Sequence, residues 1–530
     1  MRRQFKLIFL FLIAFFAATA PFFPKVLWAL IFFGPLMAIG LKDYFQKKHT
    51  ILRNFPIIGH GRYFLEMIRP EINQYFIESN SDGVPFSREQ RSVVYQRAKR
   101  ELDTLPFGTQ KDVYEVGYEW VNHSIAPKHL TNDDMRVRIG GPDCEKPYSA
   151  SLFNISAMSY GALNKNAVEA LNQGAKKGGF YHNSGEGSVT PYHLKHGGDV
   201  VWQIGTGYFG CRTMNGKFSE ERFRETAVHP HIKMIEIKIS QGAKPGHGGI
   251  LPAAKVTREI AEIRGVPMGK DVVSPPGHSA FSTPIELLEF VAKLRKLSGG
   301  KPVGFKLCVG KRREFLAICK AMNETKITPD FITVDGGEGG TGAAPLEFSN
   351  SVGCPLREGL IFVHNCLVGF NVRNQVKVIA SGKVMTGFDI LAKLAMGADL
   401  CNSARGMLLA LGCIQALRCN SNTCPTGITT NDRNLMAGLH IPTKAERVAN
   451  FQIETIKSLK DMVGVMGLSK TTEVRPWHLM RRISHNEIRH YGEIYDFIEP
   501  GSLLGSSLPK TFERAWHEAQ ARSFDVAPAN

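Results

Sequence analysis

The chain reads as an α/β protein built on a (β/α)8 TIM barrel, and three features carry that reading. Eight short β-rich runs alternate with helix-like segments between about residues 150 and 412. Loops rich in Gly, Ser, Lys and Gln follow nearly every run, as expected when one face of a barrel holds the chemistry. The 530 residues, 43% hydrophobic and 21% charged, suffice for one large barrel with additions at both ends. The expected organisation is a transmembrane helical hairpin over 1–42, a helical linker or subdomain over 43–145, the barrel over 146–435, and a helical extension over 436–530.

At the N-terminus, residues 7–23 and 26–41 are two uncharged, aromatic-rich runs joined at Pro21, Pro24 and Lys25. Each is close to the lower limit of about 17 residues for a spanning helix. Arg2, Arg3 and Lys6 precede the first run, and Lys42, Lys47, Lys48 and Arg53 follow the second. Basic residues outside both ends place both termini in the cytoplasm, so the expectation is a two-pass cytoplasmic-membrane protein with a cytoplasmic body, Trp28 acting as an interface anchor. Ala18-Thr19-Ala20 resembles a signal-peptidase site, but a cleaved signal would leave the second run unexplained and export a chain of free thiols. The ten cysteines show no disulfide-like spacing, which suits a reducing compartment. The net charge of +17 comes without a nucleic-acid module, so anionic lipid or a small acidic electron carrier is the expected partner.

The candidate strands are 152–155, 179–183, 200–204, 234–239, 303–307, 331–334, 376–380 and 400–402, with amphipathic helices such as 284–297 and 388–396 between them. After the first strand, Ala157-Met158-Ser159-Tyr160-Gly161-Ala162-Leu163 offers small residues that let a flat ligand approach the backbone. The second leads into Asn183-Ser184-Gly185-Glu186-Gly187, an acid between glycines, and Gln203 lies on the third. The fourth leads into Lys238-Ile239-Ser240-Gln241-Gly242-Ala243-Lys244-Pro245-Gly246, two lysines and an amide on one loop. Lys306 interrupts the apolar fifth strand, where a buried ammonium calls for an anion or an electron-rich ring unless its stem carries it to solvent.

Residues 335–342 after the sixth strand contain a formal G-x-G-x-x-G, but Pro345 follows at once and no ribose-binding acid is evident. The last two strands lead into Ser381-Gly382-Lys383 and Ser403-Ala404-Arg405-Gly406, the usual place of a phosphate cradle in this fold and one that a flavin mononucleotide fits. Cys413, Cys419 and Cys424 follow with C-x5-C-x4-C spacing and a proline after the last. That run suits an iron–sulfur cluster, and three thiolates rather than four point to [3Fe–4S]. Three core cysteines are the plainer alternative, and a structural zinc lacks its close C-x2-4-C pair.

In order, Ala-Met-Ser-Tyr-Gly-Ala-Leu, Gly-Glu-Gly, Lys-Ile-Ser-Gln-Gly-Ala-Lys-Pro-Gly, Gly-Gly-Thr-Gly-Ala-Ala-Pro, Ser-Gly-Lys and the cysteine run resemble the FMN-binding synthase domain of glutamate synthases, in its short, membrane-anchored or archaeal-type branch. The likeness covers about residues 145–432. It implies FMN, a [3Fe–4S] cluster, and conversion of 2-oxoglutarate plus ammonia to L-glutamate. It further implies Cys413, Cys419 and Cys424 as cluster ligands, and Met158–Ser159, Gln203 and Lys306 around the flavin ring. Gly382, Lys383, Ala404, Arg405 and Gly406 would lie near its phosphate, with Lys238, Gln241, Lys244 and Glu186 at the substrate. Ferredoxin or a partner flavoprotein is the implied electron donor, with nitrogen supplied as free ammonia or by a separate subunit.

The anchor stands where large glutamate synthases carry a glutamine-hydrolysing domain. His247 and Ile250 replace the Glu and Gln of their Gly-Glu-Gly-Gly-Gln-Leu-Pro. Two alternatives therefore stand beside the synthase: an N-methylglutamate-synthase-like or quinone-linked FMN dehydrogenase, and a non-catalytic membrane-docked partner protein.

Overall fold

The computed structural model describes residues 1–101 and 104–527. The chain forms two compact units, residues 1–88 and residues from 89 onward.

In the first unit, α1 (Arg2–Thr19) is followed by a 3-10 segment (Pro24–Ala29), α2 (Leu30–Phe45) and, after a connection that holds the helical turn Thr50–Asn54, α3 (Gly59–Ile72). Among the described residues one stretch, Pro24–Phe45, is long and apolar enough to cross a membrane. The first helix stops at Thr19 and carries Arg2, Arg3 and Lys6 in its first turns. Its uncharged remainder rises only about 20 Å against about 30 Å of hydrocarbon. Only the second arm of the expected hairpin thus has the length and composition of a span.

The second unit is organised by a closed parallel barrel of eight strands. These are β1 (Phe153–Ile155), β2 (His182–Asn183), β3 (Val200–Ile204), β4 (Ile232–Lys238), β5 (Val303–Leu307), β6 (Phe331–Asp335), β7 (Lys377–Ser381) and β8 (Leu400–Ser403). Each pairs with its sequence neighbours and β8 closes onto β1, with Asn402 opposite Asn154. The strands are buried along almost their whole length, which explains why they read as near-continuous apolar runs rather than alternating ones.

Helices follow the strands in turn: α4 (Lys165–Gly178), α5 (Pro191–Leu194), α6 (Glu220–Ala227), α7 (Pro284–Leu297), α8 (Arg312–Thr325), α9 (Leu356–Gly369), α10 (Gly387–Ala395) and α11 (Arg405–Leu411). The starts of α7 and α10 are fixed by capping boxes, Thr283 with Glu286 and Thr386 with Asp389. Beyond the cysteine run, α12 (Ile441–Val465) packs on α4. A Cβ on Gly174 would stand 2.8 Å from Ala445 O, so the two backbones meet closely only because that residue is glycine.

A small antiparallel sheet joins distant parts of this unit. Leu479–Arg482 lies between Glu119–Val121 and Ile488–His490. Glu119 receives Arg357 of α9 at 2.8 Å, Arg481 at 3.3 Å and the Tyr491 hydroxyl.

Candidate active site

The loops that leave the C-terminal ends of β1, β2 and β4 build one face of the site. Gly185 has φ +64°, and a Cβ there would stand 2.6 Å from Ser159 N and 2.7 Å from Met158 C. Only glycine lets the acid-bearing loop lie against the Met158–Ser159 backbone. Glu186 projects between Gly205 and Gly249, each of which has room for no side chain beside its carboxylate. Lys238 Nζ pairs with Glu186 Oε2 at 3.0 Å. Burial alone would raise this acid, but Lys238, Arg264 and Lys244 outweigh it and hold the carboxyl below its usual range. Glu186 is therefore ionised at neutral pH.

Lys244 is buried and donates to Ala343 O at 2.9 Å. Burial pulls its ammonium below the ordinary lysine range; nearby Glu186 opposes that and Lys238 adds to it. Ser159, Glu186, Gln241, Lys244, Ile250, Lys255 and Cys419 all line one cleft of about 400 Å³. A second cleft of about 290 Å³ shares Glu186 and Gln241 with it and adds Lys238, Thr206 and His247. Four catalytic candidates that the sequence singles out, Lys238, Gln241, Lys244 and Glu186, thus converge on two adjoining clefts.

Beneath them the barrel interior holds two buried acids that the sequence reading missed. Glu236 on β4 accepts from Gln203 Nε2 at 2.7 Å, Asn183 Nδ2 at 2.8 Å and Thr333 Oγ1 at 2.6 Å. Asp335 at the end of β6 meets Lys306 Nζ at 3.3 Å and accepts from Gly242 N at 2.8 Å. Lys306 thus has the anion that its apolar strand calls for. A single acid in the apolar run of β4 was the available signal for Glu236.

The segments after β7 and β8 carry Lys383 and Arg405. Gly382 has φ +157°, and Lys383 beside it takes a left-handed φ of +47°. Burial lowers the Lys383 ammonium, Arg405 lowers it further, and Glu338 opposes both. Arg405 donates to Glu338 O at 2.8 Å; burial lowers its guanidinium against the pull of Asp335 and Glu338. Ala404 caps α11, and a Cβ on Gly406 would meet Ser403 Oγ at 2.6 Å and Met385 Sδ at 2.9 Å. Lys383 and Arg405 thus lie near enough to repel each other, with the Glu338 carboxylate offsetting both.

The cysteine run follows α11, whose cap Gly412 has φ +110°. Tyr95 OH donates to Cys413 O at 2.7 Å. Lys255, another residue the sequence reading missed, donates to Ala162 O at 2.8 Å and Cys419 O at 3.2 Å, joining the β1 loop to the cysteine run. Its partners lie far away in sequence, so no local pattern announced it. Burial lifts the Cys413 thiol to about 11, whereas at Cys424 burial is outweighed by Thr426 and Thr429, which bring it to about 7. The three thiols influence one another electrostatically. Among the described residues no three His, Cys, Asp or Glu side chains form a site for a single metal ion.

Residues 112–469 match the model of the conserved region in glutamate synthase. The chain is 38% identical to the glutamate synthase large subunit-like protein YerD of Bacillus subtilis, over 84% of this chain and 92% of that one. It is 30% identical to the archaeal glutamate synthase [NADPH] of Methanocaldococcus jannaschii, over 68% of this chain and 67% of that one. The glutamate synthase [NADPH] large chain of Bacillus subtilis matches at 29% identity over 61% of this chain, which is 20% of its own length.

Proposed function

The chain belongs to the glutamate synthase family, and from that membership we propose that it reduces the imine of 2-oxoglutarate and ammonia to L-glutamate, with FMN and a [3Fe–4S] cluster as resident groups. It is a glutamate synthase-like oxidoreductase. The observation that carries the finer reading is the pair of adjoining clefts that share Glu186 and Gln241, one adding Lys244, Ser159 and Cys419 and the other Lys238.

The residues suit FMN. Lys383 and Arg405, beside Gly382, Ala404 and Gly406, supply the positive charge that a phosphate needs, and the Met158–Ser159 backbone with the Gly185 loop packed against it would border a flat ring. Gln203, held by Glu236, and Lys306, held by Asp335, would border that ring. Cys413, Cys419 and Cys424 suit a cluster in donor type and in their spacing along the chain. Each thiolate of such a cluster binds a different iron, so the sulfurs stand farther apart than the ligands of one ion. When bound, FMN supplies hydride chemistry and the cluster supplies single electrons.

The chain's own groups do the rest. Lys244 and Lys238 hold the two carboxylates of the dicarboxylate by charge-assisted hydrogen bonds. Gln241, shared by both clefts, orients the 2-oxo group. Glu186, ionised by its neighbours, takes a proton from bound ammonium and so releases ammonia, whose lone pair attacks the carbonyl carbon. Ferredoxin or a partner flavoprotein would supply electrons, and the +17 charge would attract an acidic one.

The apolar run Pro24–Phe45, with basic residues on its flank, supports a tether to the cytoplasmic membrane, with α1 as its shorter companion and the barrel in the cytoplasm. Ile250 beside Lys244 favours a second reading, in which the amine is methylamine. The deciding experiment combines flavin and iron analysis of the purified protein with glutamate formation from 2-oxoglutarate under a reduced donor, ammonia and methylamine compared. Glutamate from ammonia supports the first reading and N-methylglutamate the second. A bound flavin that neither reduces nor reoxidises with any donor overturns both.

A further inference from the structure

In the first unit the end of α2 and the start of α3 are fastened to one acid. Asp43 is 2% exposed, and it takes the Ile57 N–H at 2.9 Å and His60 Nε2 at 2.9 and 3.0 Å. A Cβ on Gly59 would stand 3.3 Å from Leu52 Cα, so the intervening turn is packed against the helix start as well. The third helix therefore begins at the level where the apolar stretch Pro24–Phe45 ends.

Along α3 and its continuation Asn73–Ile77, apolar side chains recur on one face: Phe64, Leu65, Ile68, Ile72 and Tyr75. Phe64 is 55% exposed, Leu65 59% and Tyr75 55%, and Phe76 just beyond reaches 85%. A face this apolar and this open needs a cover. The segment ahead of it is basic, with Lys42, Lys47 and Lys48 exposed, whereas on the helix itself Arg62 pairs with Glu66 at 3.0 Å and Arg69 is accompanied by Glu71.

We propose that α3 is an interfacial helix, its apolar face seated in the boundary between headgroups and acyl chains of an anionic bilayer and the exposed lysines ahead of it on the lipid phosphates. The inference rests on the membrane reading of Pro24–Phe45 given above. A bilayer is the occupant the features select. The helix is bonded to the end of the apolar stretch, its open face is a ribbon rather than a pocket, and the lysines ahead of it complement anionic headgroups.

The test uses the full chain in vesicles of phosphatidylcholine and phosphatidylglycerol carrying bromine on the upper acyl carbons. Tryptophan emission is read for Phe64→Trp, Tyr75→Trp and, on the opposite face, Glu66→Trp, each against the unaltered chain. Trp28, compared with Trp28→Phe, reports the apolar stretch separately. The proposal expects loss of most of the added emission at positions 64 and 75, little at 66, and weaker quenching when phosphatidylglycerol is left out. Added emission that bromolipid leaves intact and aqueous acrylamide removes overturns it, and with Trp28 still quenched the span survives alone. Emission shielded from both quenchers means that protein covers the face, which also overturns it.

Discussion

Lys244 carries its ammonium in an enclosed position with one carbonyl as acceptor, while Glu186 keeps Lys238 at 3.0 Å whether or not Lys244 is present. Lys244→Ala therefore removes a cation without stranding the acid. One charge-assisted hydrogen bond is worth about 1.5–3 kcal/mol, so KM for 2-oxoglutarate should rise at least about tenfold with little change in denaturation midpoint. Steady-state kinetics check this, and an unchanged KM removes Lys244 from the substrate site. Cys419→Ser is expected to lose bound iron and retain flavin, read by metal analysis and the visible spectrum. At this scale the sequence was legible where the residues of a cleft lie close together in the chain. Lys238, Gln241 and Lys244 share one short segment, as do the three cysteines. Lys255, Arg264 and Asp335 were not legible, because each acquires its partner only when distant loops meet at the barrel mouth.

Among the elements, each of the eight candidate runs overlaps a barrel strand, because strands buried on both sides leave short apolar stretches bounded by glycine-rich loops. The second is the least regular, two residues where five were expected, since Gly179 takes φ +68° as the cap of α4 rather than entering the strand. The first apolar run outlasts its helix: hydropathy continues to Phe23, but the helix ends at Thr19. The loops after β4 and β6 touch backbone to backbone, and a Cβ on Gly242 would overlap Gly336 O. Gly242→Ala should therefore cost about 1–3 kcal/mol and loosen Asp335 from the Gly242 N–H. A urea denaturation midpoint that does not move would show that the two loops part freely. Thr386→Ala, which removes the cap of α10, is expected to cost about 1 kcal/mol by the same measurement.

For the whole molecule, buried histidines set an acid limit. Burial holds His278 at about 4 and His193 and His364 at about 3, against 6.5 for an open imidazole. Above pH 6.5 neither folded nor unfolded chain protonates them, so this contribution is complete. As pH falls below 6.5 the unfolded chain takes up protons that the native state refuses, and stability drops until the folded values are reached. The slope is at most about 1.4 kcal/mol per pH unit for each histidine. Thermal midpoints should therefore decline between about pH 6.5 and about pH 4, and His193→Asn should flatten that decline. A midpoint constant over that interval would contradict the burial of these rings.

Glu119 gives the catalytic body a different kind of vulnerability. Its carboxylate gathers a guanidinium from a barrel helix, another from the strand beside it, and a phenol from further along the chain. A proteolytic nick between Val465 and Leu479 would leave that acid short of partners and free the strand ahead of β1 as well. Damage at one extremity would thus spread to the other, and the tail works as a fastener for segments hundreds of positions upstream.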